Sequence, residues 1–251
     1  MDQSIATAIG AIFETNGAGE LNLTRYERSG ALASYGQLVP IRSASAVWLP
    51  LNSQFRTLGY YPVLSENAER LDSKVLNQCD YAKTLEIGCA LNGDSWLAER
   101  QQQFHEDGIG EDAHGKMPTM RTGRPFSNDR LHLIRSLKKE VNVFLSLLPV
   151  SEPWMIPAYL SQGGWNSCPE AKVQVCFHKR WFENFGAQPI VYGPDYLEFY
   201  VPRPPNTTAQ ALALAEEQYL FCSDIVEQGT ETIEKLAGEL FQSPVWFFWW
   251  D

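Results

Sequence analysis

The residues most suggestive of metal chemistry are two histidines and four carboxylates that lie within ten positions, from residue 105 to residue 114. Imidazole and carboxylate groups bind divalent cations, so His105, Asp107 and His114 are the candidate ligands. Their spacing matches no zinc signature, and it lacks the HExxH arrangement that places two imidazoles on one helix face. We therefore favour a solvated loop, and the sequence predicts no metal and no cofactor.

A second group of candidates lies beside very apolar segments in the last hundred residues. Asp195 and Glu198 fall near the ends of a predicted hairpin, where two carboxylates can act as general acid and base. Together with Asn166 they would form the carboxylate-lined cleft of a hydrolase or a transferase. The alternative is structural, because buried carboxylates are costly unless paired, and Arg203 with backbone amides could satisfy the inner ones.

Motifs for nucleophilic catalysis and phosphate binding are absent from the sequence. There is no GxSxG elbow, and the glycine-rich turn GGWN at 163–166 has neither the lysine nor the spacing of a phosphate loop. Zinc binding by Cys168, Cys176, His178 and Cys222 is disfavoured, since Cys176 and His178 would point about 200° apart on a helix. Nothing in the sequence brings Cys168 or Cys176 to His132 or His178 as a nucleophile and base. These absences favour a binding protein over an enzyme.

The charge distribution narrows the class of partner. The formal net charge is −10, and residues 151–251 carry five basic and 13 acidic side chains. Nucleic acids and anionic membrane surfaces attract clustered Lys and Arg, so neither is expected as a partner. The negative electrostatic field of this acidic part attracts cationic partners, so we expect a basic protein as the partner. The residues predicted to contact it are Trp165, Glu198, Glu217 and Asp224.

Residues 1–150 are predicted to form an N-terminal α+β region. Apolar runs rich in β-forming residues are interpreted as strands at 46–51, 58–64, 84–91 and 140–148. Helical spacing of apolar residues predicts helices near the N-terminus, at 68–76 and at 129–137. A long loop rich in glycine and proline is predicted at 101–128. Three prolines within residues 149–157 place a domain boundary at residue 150.

Residues 151–251 are predicted to form a C-terminal α+β domain. We expect a strand at 155–160, a helix ending near Phe185, and a hairpin at 189–192 and 196–201. Thr207 and Gln210 match a capping box at the start of the next helix. Thr230 is expected to cap a helix with an apolar face from residue 233 to residue 241. The ending VWFFWW predicts a final strand buried between helices and sheet.

Several separated motifs occur in order in this second part. They are Gly163-Gly164-Trp165-Asn166 with Cys168-Pro169, the Asp195/Glu198 pair, Arg203-Pro204-Pro205, Ala215-Glu216-Glu217-Gln218-Tyr219, Cys222 with Asp224-Ile225-Val226 and Gln228-Gly229, and Phe248-Trp249-Trp250-Asp251. On these motifs, residues 155–251 resemble a bacterial family known only as domain of unknown function four-two-five-three. The resemblance implies a fold unit without an established activity. We interpret Arg203, Trp249, Trp250 and Asp251 as structural residues of that unit.

The expected protein is therefore α+β, with a mixed sheet flanked by helices in the C-terminal domain and a second α+β region before it. Five widely spaced cysteines and the lack of a signal-peptide pattern predict reduced thiols in the cytoplasm. Domains of this kind are similar to the small acidic immunity proteins that bacteria encode beside secreted toxins. This similarity is an analogy at the level of fold. Our hypothesis is a non-enzymatic immunity protein that neutralises a basic toxin domain. The alternative is the hydrolase or transferase described above.

Overall fold

The computed structural model contains both helices and strands and describes residues 1–121, 123, 125–137 and 140–251. The helices are α1 (Gln3–Thr15), α2 (Ala44–Leu58), α3 (Ser73–Leu76), α4 (Tyr81–Ala90), α5 (Gly93–Glu106), α6 (His132–Ser136), α7 (Ile156–Leu160), α8 (Ala171–Phe185), α9 (Thr208–Phe221) and α10 (Ile233–Leu240). The strands are β1 (Thr24–Tyr26), β2 (Ser34–Pro40), β3 (Tyr61–Ser65), β4 (Asn142–Leu148), β5 (Gln188–Tyr192), β6 (Tyr196–Tyr200) and β7 (Val245–Trp249). Within these ranges, no helix combines the length and the apolar composition needed to cross a membrane.

The seven described strands form one sheet with the order β1-β2-β4-β3-β5-β6-β7. Neighbouring strands are antiparallel except β3 and β5, which run parallel with Leu64 opposite Val191. The predicted α+β class with a mixed sheet flanked by helices is confirmed. Because β3 comes from the predicted N-terminal region and β5 from the predicted C-terminal domain, one sheet extends across the expected boundary at residue 150.

Three segments that the apolar runs predicted as strands are helical instead. Residues 46–51 lie in α2, residues 84–90 lie in α4, and residues 155–160 form the end of a 3-10 turn followed by α7. In α2 the buried residues Val47, Trp48, Leu51 and Phe55 have helical spacing, and that period outweighs the β propensity of single residues. All five residues of α7 are buried, and a short continuous apolar run does not distinguish a strand from a buried helix.

The predicted loop at 101–128 is shorter than expected, because α5 continues to Glu106. Helix and strand are absent from the described residues between Asp107 and Ser127, while Thr122 and Arg124 lie outside the described residues. The helix expected at 129–137 is divided into a 3-10 turn at Asn128–Arg130 and the short α6.

Side-chain caps define the starts of α9 and α10. Thr207 Oγ1 accepts the backbone N–H of Gln210 at 3.2 Å, as the capping box predicted. The start of α10 differs from expectation, since Thr232 rather than Thr230 accepts the N–H of Lys235 at 3.2 Å. The later cap shortens α10 by two residues relative to a helix capped at Thr230.

The final strand β7 lies at the edge of the sheet and not between helices and sheet, so that expectation was wrong. Trp246 and Phe248 point into the core, whereas Val245, Phe247 and Trp249 are half-buried. Buried and half-buried side chains therefore alternate along the run VWFFWW, as in an edge strand. The sequence does not show this alternation, because the outward side chains are mostly aromatic too.

A close contact between α4 and α8 leads to the first testable prediction. A Cβ added at Gly88 would lie 2.7 Å from the carbonyl oxygen of Lys172 and 2.7 Å from the Val175 side chain. We expect Gly88→Ala to lower the free energy of unfolding by about 1–3 kcal/mol, because two packed helices must separate. Urea unfolding measures the change. Gly93→Ala is the matched control, since its Cβ would meet Cys176 Sγ at 3.4 Å, an ordinary contact; equal losses in both variants would contradict the prediction.

Candidate functional site

A groove between α5 and α9 places charged side chains beside apolar surface. Five residues of α9 line it: Ala213, Glu216, Glu217 and Leu220 at positions i, i+3, i+4 and i+7, and Tyr219. The lining residues of α5 are Leu97, Gln101, Phe104 and His105, which also share one helix face. Residues of the segment after α5, among them Ile109 and Glu111, and Arg180 of α8 and Ile233 of α10 also line the cavity, which has a volume of about 560 Å³. We call this the α5–α9 groove.

The floor of the α5–α9 groove is aromatic and fixed. The Phe104 ring meets the Tyr219 ring edge to face, with centroids 5.5 Å apart. Tyr219 Oη donates a hydrogen bond to Glu227 Oε1, which orients the ring. Gly110 has φ of +83°, and a Cβ there would lie 2.5 Å from Tyr219 Oη, so only glycine allows the chain to cross the floor this closely.

One carboxylate of the groove is neutralised by its neighbours. Glu217 accepts a hydrogen bond from Trp181 Nε1 and pairs with Arg180 Nε at 2.8 Å, and its side chain is 11% exposed. Burial raises the pKa of Glu217 above its ordinary value, and the Arg180 guanidinium opposes that rise. Glu217 therefore supports the wall of the groove and offers little free charge to a partner.

Two other carboxylates of the groove are exposed and uncompensated. Glu111 and Glu216 both line the cavity, and no ion pair or hydrogen bond joins either side chain to another group in the described part of the chain. With an apolar floor beneath them, they form an acidic rim suited to a cationic group on an apolar stem.

The histidines proposed for a metal site lie in this groove but do not assemble into one. His105 is exposed, and His114 Nδ1 lies 3.1 Å from Glu234 Oε1. Asp107 caps the end of α5 in solvent. Among the described residues, no three His, Cys, Asp or Glu side chains are arranged to hold a metal ion.

The four residues predicted to bind a partner do not form one surface. Glu198 requires correction, because it is fully buried and cannot contact a partner. Trp165 is half-buried with its ring edge on Trp250, and Asp224 accepts the backbone N–H of Asp251 at 3.0 Å. Of the four, only Glu217 lines the α5–α9 groove.

The residues predicted for an enzymatic cleft are also separated by burial. Asn166 and Asp195 are exposed, whereas Glu198 points inward and accepts the backbone N–H groups of His132 and Leu133 at 2.6 and 2.9 Å. Burial raises the pKa of Glu198 to about 7, and the two N–H bonds oppose that rise. The Asp195/Glu198 pair thus offers no shared acid–base site.

The proposed structural residues lie at chain ends and connections. Arg203 donates to the carbonyl oxygens of Glu183 at 3.0 Å and Phe182 at 3.4 Å at the end of α8, where the Phe182 oxygen also accepts the backbone N–H of Gly186 at 2.9 Å. Trp250 is buried, and its backbone N–H donates to the carbonyl oxygen of Asp195 at 3.0 Å. Trp249 is half-buried on β7, and Asp251 is exposed.

The comparison with protein families covers the second part of the chain. Residues 144–251 match the family model described as Domain of unknown function (DUF4253). The suspected resemblance is confirmed. Comparisons with curated proteins and with solved structures found no match.

The DUF4253 match divides the α5–α9 groove. It begins inside β4 and contains α9, with Glu216, Glu217 and Tyr219, but it excludes α5 and Glu111. One wall therefore comes from the DUF4253 part and the other from residues outside the match. The helical spacing of the lining residues within α5 and within α9 is visible in the sequence. The contact between the two helices is not, because more than 100 residues separate them.

Proposed function

We propose that this chain is a non-enzymatic immunity protein that neutralises a toxin by holding a basic segment of it in the α5–α9 groove. The single observation that carries the proposal is the pair of uncompensated carboxylates, Glu111 and Glu216, on the rim of an apolar, aromatic-floored cavity. A lysine or arginine side chain places its alkyl stem on apolar surface and its charge at a rim of this kind. The overall charge of −10 adds attraction at long range.

The charges of Glu111 and Glu216 at the rim should mainly affect the association rate and the specificity of binding. Each exposed ion pair contributes about 0.2–1 kcal/mol, so the apolar floor has to supply much of the affinity. The field of the acidic protein accelerates encounter with a basic partner, and added salt weakens that attraction. Binding through this groove should therefore be fast and sensitive to salt.

The proposal also places the protein in the cytoplasm, where an immunity protein meets a toxin before it acts. All five cysteines are free thiols in this structure, which suits a reducing compartment. Masking of a cationic surface needs no catalytic group, in keeping with the separation of Asn166 and Asp195 from the buried Glu198.

Reversing the charge of the rim tests whether the α5–α9 groove binds a basic toxin. Tagged protein is used to capture partners from its native host at low and moderate salt, and each captured basic protein is expressed alone and together with this chain. We expect one such protein to arrest growth and the wild-type chain to restore it. Glu111→Lys combined with Glu216→Lys should weaken binding roughly tenfold or more, because like charges then meet.

A charge-matched variant separates the groove from the general field. Glu14→Lys combined with Glu183→Lys changes the net charge equally at two exposed positions outside the groove. This control should retain rescue and most of the affinity. If both double variants lose binding equally, the groove is not the contact surface, and if no captured protein is toxic, the immunity role is wrong.

A further inference from the structure

A second cavity, of about 280 Å³, lies on another part of the molecule between α4, the start of α8 and the turn after α7. Its wall includes Cys79, Thr84, Ser161, Gln162 and Glu170. We call it the Cys79 cavity. None of its lining residues belongs to the α5–α9 groove, so its role is independent of the proposed function.

Beside this cavity lies a buried cation without a carboxylate partner. Arg28 is 4% exposed, and its Nη2 donates to the carbonyl oxygens of Cys79 at 3.0 Å and Ala158 at 3.2 Å. In the described part of the chain, no carboxylate forms an ion pair with Arg28. The guanidinium lies over the rings of Tyr81 and Tyr159, 5.7 and 5.4 Å from their centroids. Cys79 Sγ lies 3.9 Å from Nη2, so the sulfur is next to this buried cation.

An independent feature of the same cavity indicates a missing ligand. Gln162 is fully buried, yet neither its Oε1 nor its Nε2 has a hydrogen-bond partner among the residues that the structure describes. Buried amide groups of proteins are normally paired, because an unpaired donor or acceptor costs free energy. The wall of the Cys79 cavity thus offers one donor and one acceptor to a small polar molecule.

The turn that carries Gln162 also positions the thiol. Ser161 has φ of 50°, a left-handed conformation that is uncommon for serine. Its hydroxyl donates to Leu76 O at 2.8 Å and lies 3.2 Å from Cys79 Sγ. The sulfur therefore has a fixed place at the wall of the cavity.

The other four thiols lack this combination. Cys168 and Cys222 are buried, and burial raises the pKa of Cys168 to about 12 and the pKa of Cys222 well above its ordinary value. Burial also raises the pKa of the Cys176 thiol. Cys89 is exposed but does not line the cavity. Access, a neighbouring cation and an unpaired amide therefore coincide only at Cys79 among the five.

We propose that Cys79 reacts with a small hydroperoxide bound in the Cys79 cavity and is converted to a sulfenic acid. The thiol first releases its proton to solvent, and the sulfur attacks the hydroxyl oxygen of the peroxide. The S–O bond forms as the O–O bond breaks, so sulfur gives up two electrons to the peroxide. The leaving alkoxide takes a proton from solvent and departs as an alcohol. Gln162 binds the peroxide, and Arg28 is a positioning residue that balances the charge on sulfur.

The test compares cysteines within the same intact protein. Reduced protein is treated with limiting cumene hydroperoxide, sulfenic acid is trapped with dimedone, and each cysteine is quantified by peptide mass spectrometry. We expect Cys79 to be labelled roughly tenfold faster than the more exposed Cys89, because access alone favours Cys89 and the cation favours Cys79. Labelling of Cys79 at or below the rate of Cys89 overturns the proposal, and this comparison requires no variant.

Two substitutions then separate the roles of the cation and the amide. Arg28→Met should slow labelling of Cys79 roughly tenfold and leave Cys89 unchanged, whereas Arg28→Lys should retain most of the rate because the charge remains. Gln162→Met should raise the hydroperoxide concentration needed for half-maximal labelling of Cys79. The rate at which iodoacetamide alkylates Cys79 should stay the same, because that reaction does not use the Gln162 amide. Unchanged peroxide kinetics in Gln162→Met would show that the cavity takes no part, and equal rates in Arg28→Met and wild type would exclude the cation.

Discussion

Replacing Glu198 by alanine should lower the free energy of unfolding by about 3–5 kcal/mol, because one buried and one half-buried backbone N–H group lose their acceptor. The carboxylate of Glu198 is fully buried on β6, and each oxygen accepts one N–H at the start of α6. Leu133, whose N–H is one of the two, is itself fully buried, so water cannot replace the lost bond. Urea unfolding of the variant and the wild type measures the difference.

Glu198→Gln is the matched control for this prediction. The amide keeps the shape and one acceptor oxygen, but it places an NH₂ group against the second N–H. We expect a loss of about 1–3 kcal/mol, smaller than that of the alanine variant. If alanine and glutamine cost the same, the two N–H bonds do not explain the role of Glu198.

The protonation of Glu198 should also give stability a measurable pH dependence. Burial raises its folded pKa to about 7 from an ordinary 4.5, so between these values the folded state binds more protons than the unfolded state. The contribution of Glu198 to stability is therefore greatest below pH 4.5 and falls by about 2–3 kcal/mol as the pH rises to 7. The difference in stability between wild type and Glu198→Gln isolates this change from other titrating groups.

The sequence predicted the parts of this fold that depend on local chemistry. The capping hydroxyl of Thr207, the end of α8 at Gly186 and the β5–β6 hairpin each follow from residues within a few positions of one another. The same reasoning failed at α2, where Pro50 suggested a strand end. In the structure Pro50 lies inside the helix, and the apolar face that packs on the sheet outweighs its cost.

The candidate site was only partly predictable, because its parts meet through long-range packing. Glu216 and Glu217 are adjacent and chemically alike, yet one is exposed and the other pairs with Arg180 on α8. Glu198 looked like a surface charge because its partners are backbone N–H groups, which carry no sequence signal. Burial of a carboxylate depends on which segment covers it, and here that segment is 65 residues away.

His178 should make the protein sensitive to acid. Its ring is fully buried among aromatic side chains, with the Phe199 ring at 4.8 Å edge to face and the Trp181 ring at 5.9 Å, and burial lowers its pKa to about 3. The ordinary value is 6.5, so between pH 6.5 and 3 the unfolded state binds more protons than the folded state. Stability is therefore lost as the pH falls through this window, by about 3 kcal/mol between pH 6.5 and pH 4.

A phenylalanine at this position removes the proton-binding group while filling the space. Tyr192 Oη, 3.3 Å from His178 Nδ1, would then lose its partner, so His178→Phe is combined with Tyr192→Phe, and Tyr192→Phe alone is the reference. The stability difference between these two proteins should change by about 3 kcal/mol from pH 6.5 to pH 4, and a constant difference would contradict the prediction. Because Glu198 acts in the opposite direction above pH 4.5, the two contributions offset each other between about pH 4.5 and 6.5 in the wild type. In this pH range, a variant without His178 should therefore become less stable as the pH rises. A variant without Glu198 should become less stable as the pH falls.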